Sequence, residues 1–436
     1  MSKRKLNKKG KSLIKVIIFF IVVIFIVSFL NKNKIDNTNT QTKDSNKHST
    51  FIDVVNTKES NDEVIEKIFA NGMDKKDFNA ILNQKYNYIT STGTYKQIKY
   101  DFNYQLHYSK IEEIINELTK SEIVNTEIIG ESADNRNIYS VEIGKGNKTL
   151  LIDANIHAAE TANTPLLVKF MIDVVNNYEK GDKNLKTKLN DYKIVILPCI
   201  NPDGYEVYNF GIESINNRNL WIYKNKDKID FENFKHNANG VDINRNMPTQ
   251  NAGLYYKGKS LIKSVSLEKS FSKTAYFGGK SLGSEPETKA LMYFMLKHYK
   301  NTFAYINMHS QGRVIYQGKP NLNSKFNSKS NSLAKYISSY NNYTIYGIES
   351  EEVAEGNDGS ATDFMSELAC GFKFSTKTGR LSINKYNGTT EQKYKYGVVT
   401  VETITTYSRD PNYSKDEYYN RNYYKLFIDL LKENSY

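Results

Sequence analysis

The sequence predicts an α/β fold: a mixed, largely parallel sheet with helices on both faces, preceded by one transmembrane helix. Three observations lead there. Runs such as "KTLLIDANI", "KIVILPCI", "AYINMHS" and "GVVTVETI" alternate with runs of helical spacing such as "YSKIEEIINELTK" and "TPLLVKFMIDVVNNY", the pattern of strands joined through crossover helices. "KTLLIDANI" is apolar enough for a strand covered on both faces. The N-terminus joins a basic cluster to a long apolar run.

Residues 1–12 read as a basic cytoplasmic tail. Lys3, Arg4, Lys5, Lys8, Lys9, Lys11 and Lys15 hold much of the chain's net charge of +12. Residues 13–30 read as a signal anchor: Val16 to Leu30 is apolar apart from Ser28, and with Leu13, Ile14 and a snorkelling Lys15 it approaches the roughly 17–25 residues that cross a bilayer. A cleaved signal peptide, which would make the protein secreted, is the alternative, but no small-residue cleavage site follows in "SFLNKNKID". Positive charge before the span puts the N-terminus in the cytoplasm and the rest outside the cell membrane. Residues 31–50 are polar and aperiodic, as a flexible stalk is. Residues 51–97 hold short amphipathic pieces with no assigned role.

Residues 98–436 read as a single large domain. Helix "YSKIEEIINELTK" places Ile111, Ile114, Ile115 and Leu118 on one face. Strand "KIVILPCI" ends in a turn, "NPDGY". "SEPETKALMYFMLKHY" predicts a helix whose capping box pairs Ser284 with Glu287. "GSATDFMSELA" predicts a helix before the last strand. Cys199 and Cys370 are the only cysteines, too few for a disulfide framework. No basic–aromatic module points to nucleic acid. His157, Asn201, His309 and Glu402 all fall at or near predicted strand ends, where open α/β sheets place their sites.

"IHAAETAN" sets His157 and Glu160 three residues apart where a strand hands over to a helix. A carboxylate at a helix start favours the dipole by itself; equally, the spacing lets an imidazole and a carboxylate share a metal ion. Two histidines, one glutamate and an open position make a catalytic zinc set. Of the other histidines, His48 lies in the stalk and His298 on a charged helix, whereas His309 ends an apolar strand before "SQG". Arg245, after Asn244 in "NGVDINRN", offers a planar fork suited to a carboxylate. Glu402 interrupts Val398, Val399, Val401 and Ile404, a costly place for a carboxylate without a partner or a task.

"HAAE", "NPDGYE", "GVDINRN", "SEPET", "NMHSQG" and "TVET" occur in the order found in zinc carboxypeptidases of the carboxypeptidase A type, which the chain resembles from about Tyr100 to beyond Glu402. The resemblance implies one zinc ion held by His157, Glu160 and His309. It implies Glu402 as general base and later proton donor, and Asn244 and Arg245 as the clamp on a substrate carboxylate. It implies a metallopeptidase closest to the bacterial γ-D-glutamyl-meso-diaminopimelate peptidases, whose substrates are peptidoglycan stem peptides. Ordinary exocarboxypeptidase action on peptide C-termini is the alternative, and a zinc-binding pseudoenzyme that holds wall peptides without cutting them is the reading of another class. Some positions depart from the family. Asn239 stands where bacterial members carry an oxyanion arginine, with Lys235, His236 and Arg218 as candidate substitutes. Glu355 falls where a tyrosine is expected, with Tyr346 as the candidate. Asp363 and Phe364 replace Asp-Trp, and Thr362 is expected to line the side-chain pocket.

Overall fold

The computed structural model describes residues 72–250, 252, 278, 279, 281–319, 322–346, 359–383, 396–432, 435 and 436. The tail, span and stalk expected at 1–50, the stretch 51–71 and Glu355 lie outside them. Among the described residues no helix is long and apolar enough to cross a membrane.

Helices α1 (Lys75–Leu82) and α2 (Tyr108–Leu118) precede strands β1 (Val124–Glu131), β2 (Asn137–Ile143) and β3 (Lys148–Ala154). Helices α3 (Asn163–Glu179) and α4 (Lys183–Asp191) lead to β4 (Tyr192–Leu197), then α5 (Pro202–Phe210). After a long irregular loop come α6 (Pro286–His298), β5 (Thr302–Ser310), β6 (Val314–Gln317), α7 (Ser324–Asn341) and β7 (Thr344–Tyr346). Helix α8 (Ala361–Ala369), a small hairpin of β8 (Lys373–Ser375) and β9 (Arg380–Ser382), β10 (Gly397–Thr403), α9 (Pro411–Asn420) and α10 (Tyr423–Leu430) complete the order.

Eight strands form one sheet in the order β1-β2-β4-β3-β5-β10-β6-β7. The four central strands β4, β3, β5 and β10 run parallel, while β1, β2 and β6 pair antiparallel. The expected mixed α/β sheet is therefore present. Side chains alternate between its faces. Leu150, Ile152, Ile194, Ile196, Ile306, Met308, Val399 and Val401 pack with α2, α3 and α10 on one face. Leu151, Val195, Leu197, Tyr305 and Val398 pack with α1, α6 and α8 on the other. Val398, Thr400 and Glu402 share that second face, as do Tyr305, Asn307 and His309. The register pairs Asn307 with Thr400 and His309 with Glu402, so two layers of polar side chains lie side by side at the carboxyl end of the central strands.

Three local expectations are corrected. "NPDGY" is the start of helix α5 rather than a turn: the Asn201 side chain accepts from Gly204 N, and Pro202 stands in the first turn, where its missing N–H costs nothing. Ser284 does not cap α6. The N-cap is Glu285, without a side-chain cap bond, because Ser284 Oγ donates to Glu285 Oε1 at 2.7 Å and Glu287 accepts from Ala133 N and Asn237 instead. His298, expected on a charged helix, is buried at the end of α6, and burial pushes its imidazole down to about 3. Cys199 and Cys370 are both buried free thiols, Cys199 just beyond β4. Residues 72–97, part of the stretch without a role, pack on the same body: Phe78 and Ile81 join the second-face core, and Tyr88 bridges to Glu127 on edge strand β1.

Candidate metal centre and substrate cleft

The loop after β3 turns sharply because Asn155 adopts a left-handed backbone, φ 58°, a conformation asparagine tolerates better than most residues. Its Nδ2 donates to the His157 carbonyl at 3.2 Å. Ala159 N donates to Phe234 O at 2.8 Å, tying this loop to the long irregular segment. His157 Nδ1 then lies 2.7 Å from Glu160 Oε1, and His309 Nδ1 lies 2.8 Å from Glu160 Oε2. Ser310 N also donates to Oε2 at 3.1 Å. All three side chains are buried, and their candidate ligand atoms fall within 4.8 Å of one another.

A buried carboxylate facing two imidazole nitrogens is expensive unless charge is shared among them. Burial opposes the charged form of Glu160, but His157 and His309 draw its carboxyl well below the usual range. Burial also opposes a charged His157, and the Glu160 and Asp242 carboxylates more than offset it, so its pKa rises. Behind His157, Nε2 lies 3.4 Å from Asp242 Oδ1. This is an ion-pair approach rather than a closed hydrogen bond, and a carboxylate on that side favours the imidazole tautomer with its hydrogen on the nitrogen away from the ion. Two imidazoles and one carboxylate, converging from the ends of two parallel strands with an orienting acid behind, fit zinc with a position left for a reactant.

Glu402 stands beside His309 in register on β10, half-buried while Val401 and Thr403 on either side are buried. Its Oε2 has no hydrogen-bond partner. Burial, reinforced by the Glu160 charge, pushes its carboxyl up to about 7. An unpartnered carboxyl with that affinity for protons is suited to taking one and giving it back near neutrality.

Asn244 and Arg245 lie in a short 3-10 turn, Ile243–Arg245, which Asp242 caps through Asn244 N. Asn244 Oδ1 accepts from Ala361 N at 2.9 Å, at the start of α8. Its Nδ2 remains the end able to donate to a ligand. Arg245 Nη1 donates to its neighbour's carbonyl, Asn244 O, at 2.7 Å. Gly359, at φ +91°, lets the chain pass so close to Arg245 that an added Cβ would sit 2.7 Å from Arg245 O. Thr362, in the first turn of α8, hydrogen-bonds to Thr400 Oγ1 at 2.6 Å and accepts from Asn307 Nδ2 at 3.3 Å. These three polar residues form the layer directly beneath Glu402 and His309.

The substitutes considered for the oxyanion arginine separate. Asn239 is exposed, and its Nδ2 donates to Glu285. Arg218 is a surface residue paired with Glu213. His236 packs edge-on to Trp221. Of the three substitutes, Lys235 is the one whose charged end approaches Glu160, with Nζ 3.8 Å from Oε1. Tyr346 lies on edge strand β7, two strands from β10, stacked on Tyr316, and the structure does not bring it to Glu402. Sequence reasoning missed Asp242, although "GVDINRN" contains it, because a second acid in a loop carries no periodic signal. It also missed Asn307 and Thr400, each two residues before a residue already singled out on the same strand.

The comparisons with known proteins agree with this geometry. Residues 111–415 match the zinc carboxypeptidase family. Human carboxypeptidase A6 is 27% identical over 222 residues, covering 49% of this chain and 45% of that protein. The gamma-D-glutamyl-L-diamino acid endopeptidase 1 of Lysinibacillus sphaericus is 28% identical over 199 residues, covering 44% and 47%. These matches span about half the length of the relatives. The crystal structure of carboxypeptidase A from Helicoverpa armigera shares the fold, with a TM-score of 0.52 at 18% identity, covering 84% of this chain and 79% of that one. With a family match that runs from helix α2 into helix α9 and encloses all three metal-site residues, the chain belongs to the zinc carboxypeptidase family.

Proposed function

We propose that the protein hydrolyses the peptide bond next to a free C-terminal carboxylate, as a zinc metallocarboxypeptidase. The observation that carries this reading is the alignment of the His157–Glu160–His309 cluster with the unpartnered Glu402 on the adjacent strand. Zinc bound there supplies Lewis acidity, which polarises a carbonyl and makes water acidic enough to react near neutral pH. Glu402 Oε2 takes a proton from the attacking water and returns it to the departing nitrogen. Arg245 and the Nδ2 of Asn244 bind the terminal carboxylate, so the cut falls one residue inward. Thr362, Thr400 and Asn307 form the floor beneath the terminal residue's side chain.

A second reading, cleavage of γ-D-glutamyl-diaminopimelate bonds in stem peptides, is favoured by that polar floor. Three hydrogen-bonding side chains suit the polar end of diaminopimelate better than an aliphatic or aromatic group. The Lysinibacillus relative, described as a gamma-D-glutamyl-L-diamino acid endopeptidase, supports the same reading. A catalytic domain held outside the cell membrane by residues 13–30 would meet such substrates directly.

The test is zinc content of the detergent-solubilised full chain, with cleavage of hippuryl-L-phenylalanine and of L-Ala-γ-D-Glu-meso-diaminopimelate followed side by side. Release of phenylalanine supports the first reading, and release of diaminopimelate alone the second. Glu402→Gln is expected to keep zinc and lower kcat by about 10²–10⁴. If wild type and Glu402→Gln are equally inert on both substrates while zinc is bound, the peptidase assignment fails and the pseudoenzyme takes its place.

A further inference from the structure

A solvent-open cavity of about 250 Å³ lies between the start of α3, helix α5, the segment before α2 and the entry to α9. Two of its walls adjoin the reaction centre. Thr161 and Ala162 follow the metal-site residue Glu160 directly, and Ser408 and Arg409 lie on the segment that leaves β10 after Glu402. Neither Asn244 and Arg245 nor Thr362, Asn307 and Thr400 line it, so it is separate from the terminal-carboxylate clamp and from the polar floor. Pockets that enclose a whole small ligand measure roughly 300–1,000 Å³, so this one suits a single side chain of something larger.

The polar groups of the cavity divide into spent and unspent. The Tyr205 hydroxyl donates to Leu106 O and Ser414 Oγ donates to Ala162 O, each at 2.8 Å. Gln105 Nε2 donates to Asn209 Oδ1 at 2.7 Å, which leaves Asn209 its Nδ2 donor. Asp410, the one acid among the lining residues, accepts from Asn412 N at 2.9 Å as the cap of α9. Tyr100 is 4% exposed, and its hydroxyl has no hydrogen-bond partner, an arrangement that costs about 1–3 kcal/mol. The Arg409 guanidinium lies over the rings of Tyr208 and Phe231, 5.0 and 5.8 Å from their centroids, and among the described residues it pairs with no carboxylate. Stacking on rings fixes the plane of a guanidinium and leaves its N–H edge open. A guanidinium edge, an amide donor and a phenol in one cavity match an acceptor that carries negative charge, as a carboxylate does.

We propose that this cavity binds an acidic side chain of the substrate on the amino side of the cut bond, and that Arg409 thereby selects peptides with a carboxylate before their terminal residue. The inference rests on the peptidase reading. There the terminal residue is already placed, with its carboxylate on Arg245 and its side chain over the polar floor. A group seated beside Thr161 and Arg409 therefore belongs to the residues before it. Tyr208, under the guanidinium, packs in one apolar cluster with Ala158 and Ala159 of the metal loop, so the chain ahead of the cut passes over that loop to reach Arg409.

The experiment uses the zinc-loaded full chain and N-acetyl tetrapeptides that end in phenylalanine. Glutamate or glutamine stands in turn at each position before the phenylalanine, with alanine elsewhere. The ratio of kcat/KM for the Glu and Gln peptides is read in wild type, Arg409→Gln and Tyr100→Phe. At one position glutamate is expected to be preferred about 10-fold, through KM, the lower end for a charge-assisted hydrogen bond because the guanidinium is exposed. That preference shrinks as salt is raised. Arg409→Gln removes it and Tyr100→Phe removes part of it. A residue that only supports the fold changes both peptides of a pair alike and leaves their ratio where it was. No preference at any position, or a preference that survives Arg409→Gln, overturns the proposal. Calorimetric affinity of the same pairs for Glu402→Gln, with and without Arg409→Gln, is the second readout. If wild type cuts none of the tetrapeptides, that failure belongs to the exocarboxypeptidase reading, and the affinity ratio still decides the cavity.

Discussion

Asp242 is the most exacting test of the metal centre, because it touches no substrate and yet determines how well His157 holds an ion. Its Oδ1 lies 3.4 Å from His157 Nε2 and also accepts from Asn244 N at 2.9 Å. Asp242→Asn keeps an oxygen at that point and removes only the charge. Two full charges at 3.4 Å would interact by about 5 kcal/mol at an effective dielectric near 20. An imidazole that has lent its lone pair to zinc carries a fraction of a charge, and the amide oxygen kept at that point offsets part of the loss. What remains falls in the range of about 1.4–2.8 kcal/mol, equivalent to about a 10–100-fold weaker zinc affinity. Competition against a chromophoric chelator at fixed pH measures it directly. Asp242→Ala should lose more, since the 3-10 turn also loses its cap, at about 1 kcal/mol of stability. Zinc affinity in Asp242→Asn equal to wild type, with the metal-free protein melting at the same temperature, would refute the claim that this carboxylate orients the ligand.

Two further outcomes follow from the same geometry. Arg245→Ala should cost about 1.5–3 kcal/mol in kcat/KM, the worth of a charge-assisted hydrogen bond. The loss should vanish for a C-terminally amidated peptide, whose cleavage is already poor; equal losses on acid and amide would remove Arg245 from the carboxylate clamp. His298 supplies a pH test of stability: burial lowers it to about 3, against an ordinary value near 6.5. Below pH ~6.5 the unfolded chain takes up a proton that the folded chain refuses, so stability falls with pH, by up to about 1.4 kcal/mol per unit, down to pH ~3. Above pH ~6.5 the residue contributes no pH dependence. Urea unfolding of wild type and His298→Gln between pH 4 and 8, run on the metal-free protein, should give a flatter acid limb for the variant; superimposable curves would exclude it.

What could be read from the sequence was periodic or local. The four central strands were visible because burial on both faces leaves long apolar runs, and His157, His309 and Glu402 were visible because each breaks such a run or closes it. The edge of the sheet was harder. Strand β1 carries polar residues at its solvent-facing positions, with a burial pattern that is neither alternating nor continuous, and β6 and β7 are four and three residues long. Helix α7, "SKFNSKSNSLAKYISSYN", is so rich in Ser and Asn that its propensity argues against it. It persists because Phe326, Leu333, Ala334 and Ile337 are buried in the cores, an instance of tertiary packing overriding propensity. The choice among Lys235, His236 and Arg218 was closed to sequence reasoning, because it depends on where an irregular loop points each side chain.

That loop is the part of the site with least regular structure and most chemistry: Lys235, Asp242, Asn244 and Arg245 all lie on it. A loop can hold such groups to a fraction of an ångström only if its own polar groups are satisfied. Asn237 donates to both Glu285 and Glu287, at 2.9 and 2.8 Å, while its Oδ1 accepts from Asn239 N and Val241 N. Asn246 donates to the carbonyls of Gly278 and Ser281 and accepts from Glu285 N. Burial, and then the Asp203 charge, pushes the Glu287 carboxyl up to about 8. Asp203 in turn binds Arg136, Ser132 Oγ and Asp134 N. The carboxylates of "SEPET", which look from the sequence like helix-capping groups, are therefore the clamp on the catalytic loop. The helix that carries them, α6, packs on β1 and β2 beneath. Rigidity reaches the metal centre from the edge of the sheet through buried acids, which accounts for a cluster of carboxyl groups so far from any substrate.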